Sequence, residues 1–402
     1  MSDRITDASQ QSAPDINAGR LLLSLAAVIA TAAVFGLTYS LTAPLVAMSL
    51  TEQGVTETLI GINAAMHALG VLCVAPILPR WASRYGARRL IIVALVMTAV
   101  LLALFPAMPS FWLWFPLRFG LGIAAEILFV LTETWVSELS TDATRGRIMA
   151  TYTAFLSLGF AGGPLILSFT GLDGVLPFFI GSCVALLALI FISYRHIQIP
   201  VMQKTHNLNL LRYMRAAPIA MGTTGLNAGI ETAGLSFLSL YAVHLGWSEQ
   251  GGTHLITILM VGAILLQLPI GWICDKMDRF RLMVILSVLS IAGALFWPLI
   301  LQAGWVAYPA LFIWGGVFVG IYTTMLAIIG SKFRGTDLVG IYAAMGLFWG
   351  AGALFGPTLA GISMDITTHG LPLFVGAACV VFLGFILFIG RFAKNTDEAT
   401  TW

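Results

Sequence analysis

Long apolar runs alternate with short polar connections along almost the whole chain. Twelve runs approach or exceed about 20 residues, the length with which an α-helix crosses roughly 30 Å of bilayer hydrocarbon. Since the connections leave little room for a soluble domain, the pattern predicts an all-α integral membrane protein with twelve transmembrane helices. The predicted spans cover residues 20–48, 57–79, 89–108, 111–136, 146–170, 174–196, 217–245, 251–274, 281–302, 305–330, 338–363 and 371–393.

The composition narrows the class of protein. Hydrophobic side chains make up 59% of the 402 residues and charged ones only 9%, against roughly 25% charged residues in a soluble domain. These values exclude a soluble enzyme, a disordered chain and a nucleic-acid-binding protein, and they make the lipid bilayer the expected surroundings. The four cysteines are far apart and form no CxxC pair, so we expect no disulfide framework, no metal site and no cofactor.

Basic residues predict the orientation, because Lys and Arg residues that flank spans stay on the cytoplasmic side. Of the 20 Lys and Arg residues, 19 fall at the two ends or in the connections after even-numbered spans, and the alternate connections hold none. We therefore expect a multi-pass protein of the plasma membrane, the inner membrane in a bacterium, with both termini cytoplasmic. The run behind the polar first 19 residues is about twice as long as a signal-peptide core, which indicates an uncleaved first helix.

Two unrelated landmarks recur at nearly the same spacing. Residues 79–89 resemble 271–281 at an offset of 192, and a Gly-x-x-x-Gly-Pro motif at 159–164 returns at 352–357, at an offset of 193. Six crossings separate the copies, so we predict two six-helix halves in the same orientation, an arrangement typical of transporters that hold the substrate between the halves. The predicted divisions are a tail (1–19), a first bundle (20–197), a linker (198–216), a second bundle (217–393) and a tail (394–402).

The connection after the eighth predicted span carries a recognisable signature. Gly271, Asp275, Lys276 and Arg279 match the loop motif Gly-x-x-x-Asp-Arg/Lys-x-Gly-Arg-Arg, with Asp278 at the second Gly. In the first copy, Pro79 and Ser83 replace the Gly and the Asp, whereas three motif positions remain: Arg84, Gly86 and Arg88. Asp275 ends a helix beside three cations, so a salt-bridge and helix-dipole latch on the cytoplasmic face is chemically reasonable.

A motif in the fourth predicted span, together with this loop signature, points to a known family. Arg118-x-x-x-Gly122 in the fourth span is similar to an Arg-x-x-x-Gly element of the major facilitator superfamily, which the chain resembles over nearly its whole length. Within the superfamily, the fourth span followed by Arg145-Gly146-Arg147 resembles the branch of YcaD-like bacterial permeases. The resemblance implies a cytoplasmic gate at the two loop signatures, which stabilises the outward-facing state and breaks when the halves rock. We expect helix-packing or mechanistic roles for Arg118, Gly122, Glu133, Gly159, Gly163, Pro164, Gly352, Gly356 and Pro357, since the Gly and Pro residues allow close helix contact and a local kink.

Two acidic residues lie near the midpoints of predicted spans. A charge at the bilayer centre costs about 2.5–3.5 kcal/mol on insertion scales and needs a reason. Glu126 in the fourth span and Glu231 in the seventh are therefore candidates for carrying a proton or for binding a polar or cationic substrate group. The alternative is a protonated structural acid held by hydrogen bonds. Asn227, one turn before Glu231, is expected on the same helix face.

Other polar and aromatic residues are weaker candidates. Arg118 is interpreted as structural or mechanistic, with substrate binding as the alternative, and Glu133 as an interfacial acid paired with a loop Arg. His67 could titrate near neutral pH, although a packing role is the commoner one. Aromatic walls for a substrate are expected from Tyr39, Trp314 and Tyr322, with core packing as the alternative.

These features predict a secondary active transporter of a small organic solute, working by alternating access and driven by a proton gradient. Export by antiport is slightly favoured, and a proton-coupled importer or a facilitator is the alternative. A membrane enzyme would need a catalytic constellation, and the sequence has no HExxH or GxSxG motif. A non-transporting sensor is a remote alternative. We expect a monomer with a small-molecule substrate and no catalytic residue.

Overall fold

The computed structural model describes residues 15–108, 110–140, 144–172, 174–194, 210–333 and 335–395. These residues form α-helices joined by short turns, and the described ranges contain no strand. The helices are α1 (Asp15–Glu52), α2 (Glu57–Val74), α3 (Leu78–Tyr85), α4 (Ala87–Leu104), α5 (Trp114–Leu139), α6 (Arg145–Thr170), α7 (Leu176–Ile192), α8 (Leu210–Ala216), α9 (Pro218–His244), α10 (Glu249–Leu265), α11 (Gln267–Lys276), α12 (Arg279–Gln302), α13 (Ala307–Lys332), α14 (Gly335–Ile366) and α15 (Gly370–Asn395).

The predicted all-α membrane fold is confirmed. Ten stretches are long and apolar enough to cross a membrane, and two further helices occupy the remaining predicted spans. Of these, α7 is apolar but only 17 residues long. The other, α9, is 27 residues long, and its Gly, Thr, Asn and Glu residues lower its hydropathy.

Some boundaries differ from those predicted. Helix α1 begins at Asp15 rather than residue 20, and α15 continues to Asn395. The short helix α8 lies inside the predicted linker, whose residues 198–209 are outside the described ranges. The eighth predicted span is two helices, because Pro269 in the first turn of α11 has no N–H to donate and cannot continue α10.

Helix crossings repeat between the two halves of the chain. A side chain on Gly159 of α6 would come within 2.1 Å of the Ala33 carbonyl oxygen in α1. The equivalent crossing joins α14 to α9, where a side chain on Gly352 would lie 2.2 Å from the Gly225 carbonyl oxygen. Since real Cβ atoms do not approach so closely, only glycine permits these backbone contacts.

The helix pairs that cross at Gly122 and Gly315 are also related by the offset of the sequence repeat. A Cβ atom on Gly122 of α5 would lie 1.9 Å from the His67 carbonyl oxygen in α2. A Cβ atom on Gly315 of α13 would lie 2.3 Å from the Leu259 carbonyl oxygen in α10. The offsets between the partners are again 192 and 193 residues, so the sequence repeat is matched by a repeat of backbone contacts.

Contacts between the two groups of helices leave a seam along the middle of the protein. Helix α2 packs on α14, α6 packs on α10, and α1 contacts α9. We call the side with the α2–α4 and α11–α12 connections the basic face, since Arg84 and Lys276 lie there, and the other side the opposite face. The helices on both sides of the seam carry the polar residues described next.

Candidate substrate and coupling site

Glu231 is the central residue of α9 and faces the seam. Its carboxylate accepts a 3.2 Å hydrogen bond from the side-chain amide of Asn227, one turn earlier. It also lies within electrostatic range of Tyr39 in α1 and Tyr322 in α13. The acid is therefore close to helices from both halves, and the expected pairing of Asn227 with Glu231 on one helix face is present.

Arg118 lies opposite, among residues of α1 and α2. Its side chain is only 2% exposed and is within electrostatic range of Tyr39 and His67. The rings of Tyr39 and His67 meet edge to face, with centroids 4.8 Å apart. The guanidinium Nε and Nη1 atoms have no hydrogen-bond partner among the described residues. A buried guanidinium with unpaired N–H groups is costly without a partner, which suits a site that receives a ligand.

Asn63 is a further buried polar residue of α2 and was not predicted. It is 1% exposed and lies one turn before His67 in α2. Neither its amide nitrogen nor its amide oxygen has a hydrogen-bond partner within the described part of the chain, and the same holds for the Asn227 side-chain oxygen. The sequence signal that could have identified Asn63 is a side-chain amide one turn before His67 in an otherwise apolar helix.

Glu126 and Glu133 lie on one face of α5, and Glu133 is the nearer of the two to the basic face. Glu126 is partly buried near the centre of α5, and Glu133, two turns later, is exposed. Glu126 is within electrostatic range of Glu133. Tyr322 of α13 is within electrostatic range of both Glu133 and Glu231. An exposed acid so near a residue of the other half indicates that the seam is open towards the basic face.

One predicted role requires correction, and another stays a prediction. The side chains of Arg145 and Arg147, the loop arginines that follow α5, lie outside the described residues, so the pairing of Glu133 with a loop Arg stays a prediction. Trp314 does not line the seam: its indole N–H donates to the Ser290 carbonyl oxygen at 3.0 Å, and its ring packs against Trp297 and Phe318. It is a packing residue between α12 and α13.

The structure has a small void that borders the seam and a larger cavity that lies apart from it. A void of about 10 Å³ lies beside Tyr39 and His67, near the smallest volume that holds one water. A larger cavity of about 390 Å³ opens within the second half at the basic face, where Arg279 and Lys332 line a mainly apolar wall. The larger cavity is distinct from the polar residues around Glu231.

The loop signatures are held by contacts within each half. Arg88 caps the end of α7, donating to the carbonyl oxygens of Ile192 at 3.1 Å and Tyr194 at 3.0 Å and also to that of Ser193. Gly86 has a positive φ of 80°, which ends α3 and begins α4. Arg84 lies over the Tyr85 ring.

In the second copy, Lys276 lies 3.5 Å from the Trp272 ring centre, and Arg279 donates to the Ala327 carbonyl oxygen at 2.9 Å. Among the described residues, no ion pair joins Asp275 to a cation, and a side chain on Gly271 would meet only open space. The predicted salt bridge of the latch is therefore not formed within the described part of the chain.

The opposite face carries contacts between the halves that the sequence did not reveal. Asp365, near the end of α14, accepts hydrogen bonds from the backbone N–H groups of Glu57 and Thr58 at 3.0 and 2.9 Å, and another from the Thr58 hydroxyl. The His244 ring lies 3.9 Å from the Glu57 carboxylate. These contacts join α2 of the first half to α9 and α14 of the second.

A duplicated helical bundle with buried polar groups at its seam is an architecture typical of membrane transporters. The sequence model of the Major Facilitator Superfamily matches residues 28–357 and 220–401. The chain belongs to this superfamily.

Bacterial relatives place it near the YcaD-like branch. The chain is 26% identical over 347 residues to the uncharacterized MFS-type transporter YfkF of Bacillus subtilis (strain 168), covering 83% of this chain and 86% of that protein. It is 27% identical over 359 residues to the uncharacterized MFS-type transporter YcaD of Escherichia coli O45:K1 (strain S88 / ExPEC), covering 88% of this chain and 92% of the relative.

Solved structures share the fold at lower identity. A mutant of the nucleoside transporter NupG matches with a TM-score of 0.75 at 16% identity, over 91% of this chain and 99% of that chain. A D-xylose-proton symporter matches with a TM-score of 0.72 at 15% identity, over 91% and 97%. A bacterial homologue of the human lysosomal transporter Spinster, solved in an inward-facing and unoccupied conformation, matches with a TM-score of 0.72 at 12% identity, over 97% and 99%.

Proposed function

We propose that this protein is a secondary active transporter that carries a small, polar organic solute by alternating access. The observation that carries the proposal is a set of buried polar atoms from both halves that have no hydrogen-bond partner among the described residues: Nε and Nη1 of Arg118, the amide of Asn63 and the amide oxygen of Asn227 beside Glu231. Buried polar groups need hydrogen bonds, and a bound solute between the halves would supply them. The solved transporters of similar fold make a small organic solute a natural expectation.

The described conformation fits one state of such a cycle. Asp365 and His244 join the halves at the opposite face, and Glu133 is exposed in the seam towards the basic face. The distribution of Lys and Arg residues assigns the basic face to the cytoplasm. With that orientation in the plasma membrane, the conformation is inward-facing, and the lack of an ion pair at Asp275 among the described residues fits this state.

Glu126 and Glu231 are the proposed proton carriers. Each lies at the centre of a spanning helix and is only partly exposed, and Glu231 faces the seam. A carboxyl group in such a position can bind a proton when facing one side and release it when facing the other. The Gly-x-x-x-Gly-Pro motif of α6 resembles the end of the superfamily's antiporter signature, which slightly favours export in exchange for protons. Symport into the cell is the alternative direction.

Transport of an unknown solute can be tested with purified full-length protein in liposomes. The vesicles are loaded with a small-molecule extract of bacterial cytosol, an inward-directed or outward-directed pH gradient is imposed, and the solutes that cross are identified by mass spectrometry. The proposal expects at least one solute to move with the native protein and to stop moving in Glu231→Gln. The matched control is Glu138→Gln, which removes an exposed acid from the end of α5. A native protein that moves no solute in either gradient would contradict the proposal.

A further inference from the structure

The wall of the seam formed by the first half offers hydrogen-bond donors. The Nε and Nη1 groups of Arg118 are buried and unpaired among the described residues, and the Asn63 amide adds a further N–H₂ group without a partner. Arginine stays charged in proteins and presents its N–H groups in a planar fork that fits a carboxylate or a phosphate. This wall suits an anionic group.

The facing wall, formed by α9, offers acceptors. The Glu231 carboxyl receives one hydrogen bond, from Asn227, and the Asn227 oxygen receives none among the described residues. Carboxylate and amide oxygens attract an ammonium group or another strong donor. Tyr39 of α1 is within electrostatic range of both Arg118 and Glu231, so the two walls lie near the same residue.

From this arrangement we infer that the solute is zwitterionic, with an anionic group held by Arg118 and Asn63 and an ammonium group held by Glu231 and Asn227. The inference rests on the proposed transport function and specifies its substrate class. A solute with only an anionic group would leave the Glu231 carboxyl without a counter-charge, and a simple amine would leave Arg118 unpaired. A zwitterion satisfies both walls and, by bridging the first half to α9, favours closure around the solute.

A zwitterionic solute also explains how proton movement and solute movement are coupled at Glu231. When Glu231 is protonated, its carboxyl carries no charge to attract an ammonium group. Binding of the ammonium group to the carboxylate therefore accompanies loss of one proton from Glu231 to water, and solute departure allows that proton to be regained. Proton and solute compete for the same carboxylate, which is the requirement for exchange in opposite directions.

The charge class can be tested by thermal stability of the purified full-length protein. The probes are ω-amino carboxylates from glycine to aminohexanoate, each accompanied by the carboxylate and the amine of the same carbon skeleton. We expect at least one zwitterion to raise the melting temperature, whereas its two singly charged counterparts do not. In Glu231→Gln the preference for the zwitterion over the matched carboxylate should disappear, and in Arg118→Gln binding should weaken about a hundredfold. Arg118→Lys, which keeps the charge but loses the planar fork, serves if Arg118→Gln does not fold, and it should bind at least about tenfold more weakly.

The matched controls are Arg80→Gln and Glu138→Gln, which remove exposed charges of the same kinds and should bind the zwitterion as the native protein does. The inference fails if no zwitterion in the series binds, if a singly charged or neutral probe binds equally well, or if zwitterion binding survives both Arg118→Gln and Glu231→Gln. The extract experiment separates this failure from failure of transport. A transported solute of another charge class would overturn the substrate class alone, whereas absence of any transport would overturn the proposed function.

Discussion

The carboxylate of Asp365 supplies the N-terminal cap that α2 lacks. Thr56, at the start of α2, makes no side-chain capping bond, so the first N–H groups of the helix need other acceptors. Asp365 accepts from the N–H groups of Glu57 and Thr58, although it belongs to α14 in the other half of the chain. Its charge also interacts favourably with the positive end of the α2 dipole. One side chain thus links helix capping to closure of the opposite face.

Asp365→Ala should open the opposite face more often. Loss of a capping residue costs about 1 kcal/mol. This cost is partly offset because the nearby Glu57 carboxyl also loses a like charge. We therefore expect the population with an open opposite face to rise roughly threefold to fivefold. Spin labels on Gln53→Cys and Thr368→Cys, both at exposed positions, would report the distance across this face. The exposed Cys73 and Cys183 must first be replaced.

Asp278→Ala is the matched control for this experiment. Asp278 also caps a helix, accepting from the Arg281 N–H at 2.8 Å, but the cap and the helix belong to the same half. Its loss should destabilise the start of α12 and leave the distance across the opposite face unchanged. An unchanged distance distribution in Asp365→Ala, or an equal change in both variants, would contradict a closing role for Asp365.

Asp275→Asn should shift the same equilibrium the other way. Asp275 makes no ion pair with a cation in the conformation described, among the residues that the structure covers, so a latch there can contribute only when the basic face closes. The variant should therefore favour the state with an open basic face and reduce the rate of turnover more than the affinity for solute. Turnover and affinity measured separately in liposomes test this split, and a native rate of turnover would dismiss the latch.

Gly356→Ala should destabilise the protein strongly. The added methyl group would lie 2.2 Å from the Gly229 carbonyl oxygen, an atom of the backbone that cannot move aside, and overpacking of this kind costs about 1–3 kcal/mol or more. Gly163→Ala in the first half, 2.4 Å from the Leu41 nitrogen, should behave alike. Thermal unfolding in detergent gives the measurement.

The control is Gly346→Ala, in the same helix as Gly356. A methyl group at this position would meet nothing within 4 Å, and alanine is a better helix former than glycine by up to about 1 kcal/mol. Its melting temperature should be equal to or above that of the native protein. A similar loss of stability in Gly346→Ala and Gly356→Ala would show that close crossing is not the reason for the glycine.

Glu126→Gln and Glu231→Gln should separate coupling from transport. Glutamine keeps the size and hydrogen-bonding capacity of a protonated glutamate but cannot release a proton, so flux driven by a pH gradient should fall to the level of empty liposomes. Exchange of labelled for unlabelled solute requires no net proton movement, and it should persist at least in Glu126→Gln, since Glu231 is also proposed to bind the solute. Driven flux at native rates in both variants would remove these acids from the coupling role.

The sequence predicted those features that depend on local pattern or on repetition. The apolar runs place the helices, and the recurrence of 159–164 at 352–357 identifies glycines at two equivalent helix crossings. Asn227 and Glu231 are one turn apart, so their contact follows from helical periodicity. The central positions of Glu126 and Glu231 likewise follow from counting along each span.

Other features depend on how a helix is rotated about its axis and on which helix lies beside it. Trp314 points to α12, although counting along α13 alone would allow it to face the seam. Asn63 is one polar residue in an apolar helix, and only the fold shows that its side-chain amide is buried without a hydrogen-bond partner among the described residues. The bond between Asp365 and Thr58 joins residues separated by 307 positions, and no periodicity in either helix predicts it.

Cysteine labelling should place the basic face in the cytoplasm. Transfer of several Lys and Arg residues across the membrane during insertion is disfavoured, and that asymmetry predicts the orientation. Ser83→Cys, beside Arg84 at the basic face, and Thr368→Cys at the opposite face both introduce a thiol at an exposed position. In intact cells, a membrane-impermeant maleimide should label Thr368→Cys at once and Ser83→Cys only after permeabilisation. The reverse order would invert the orientation and make the described conformation outward-facing, with the Asp365 contact on the cytoplasmic side.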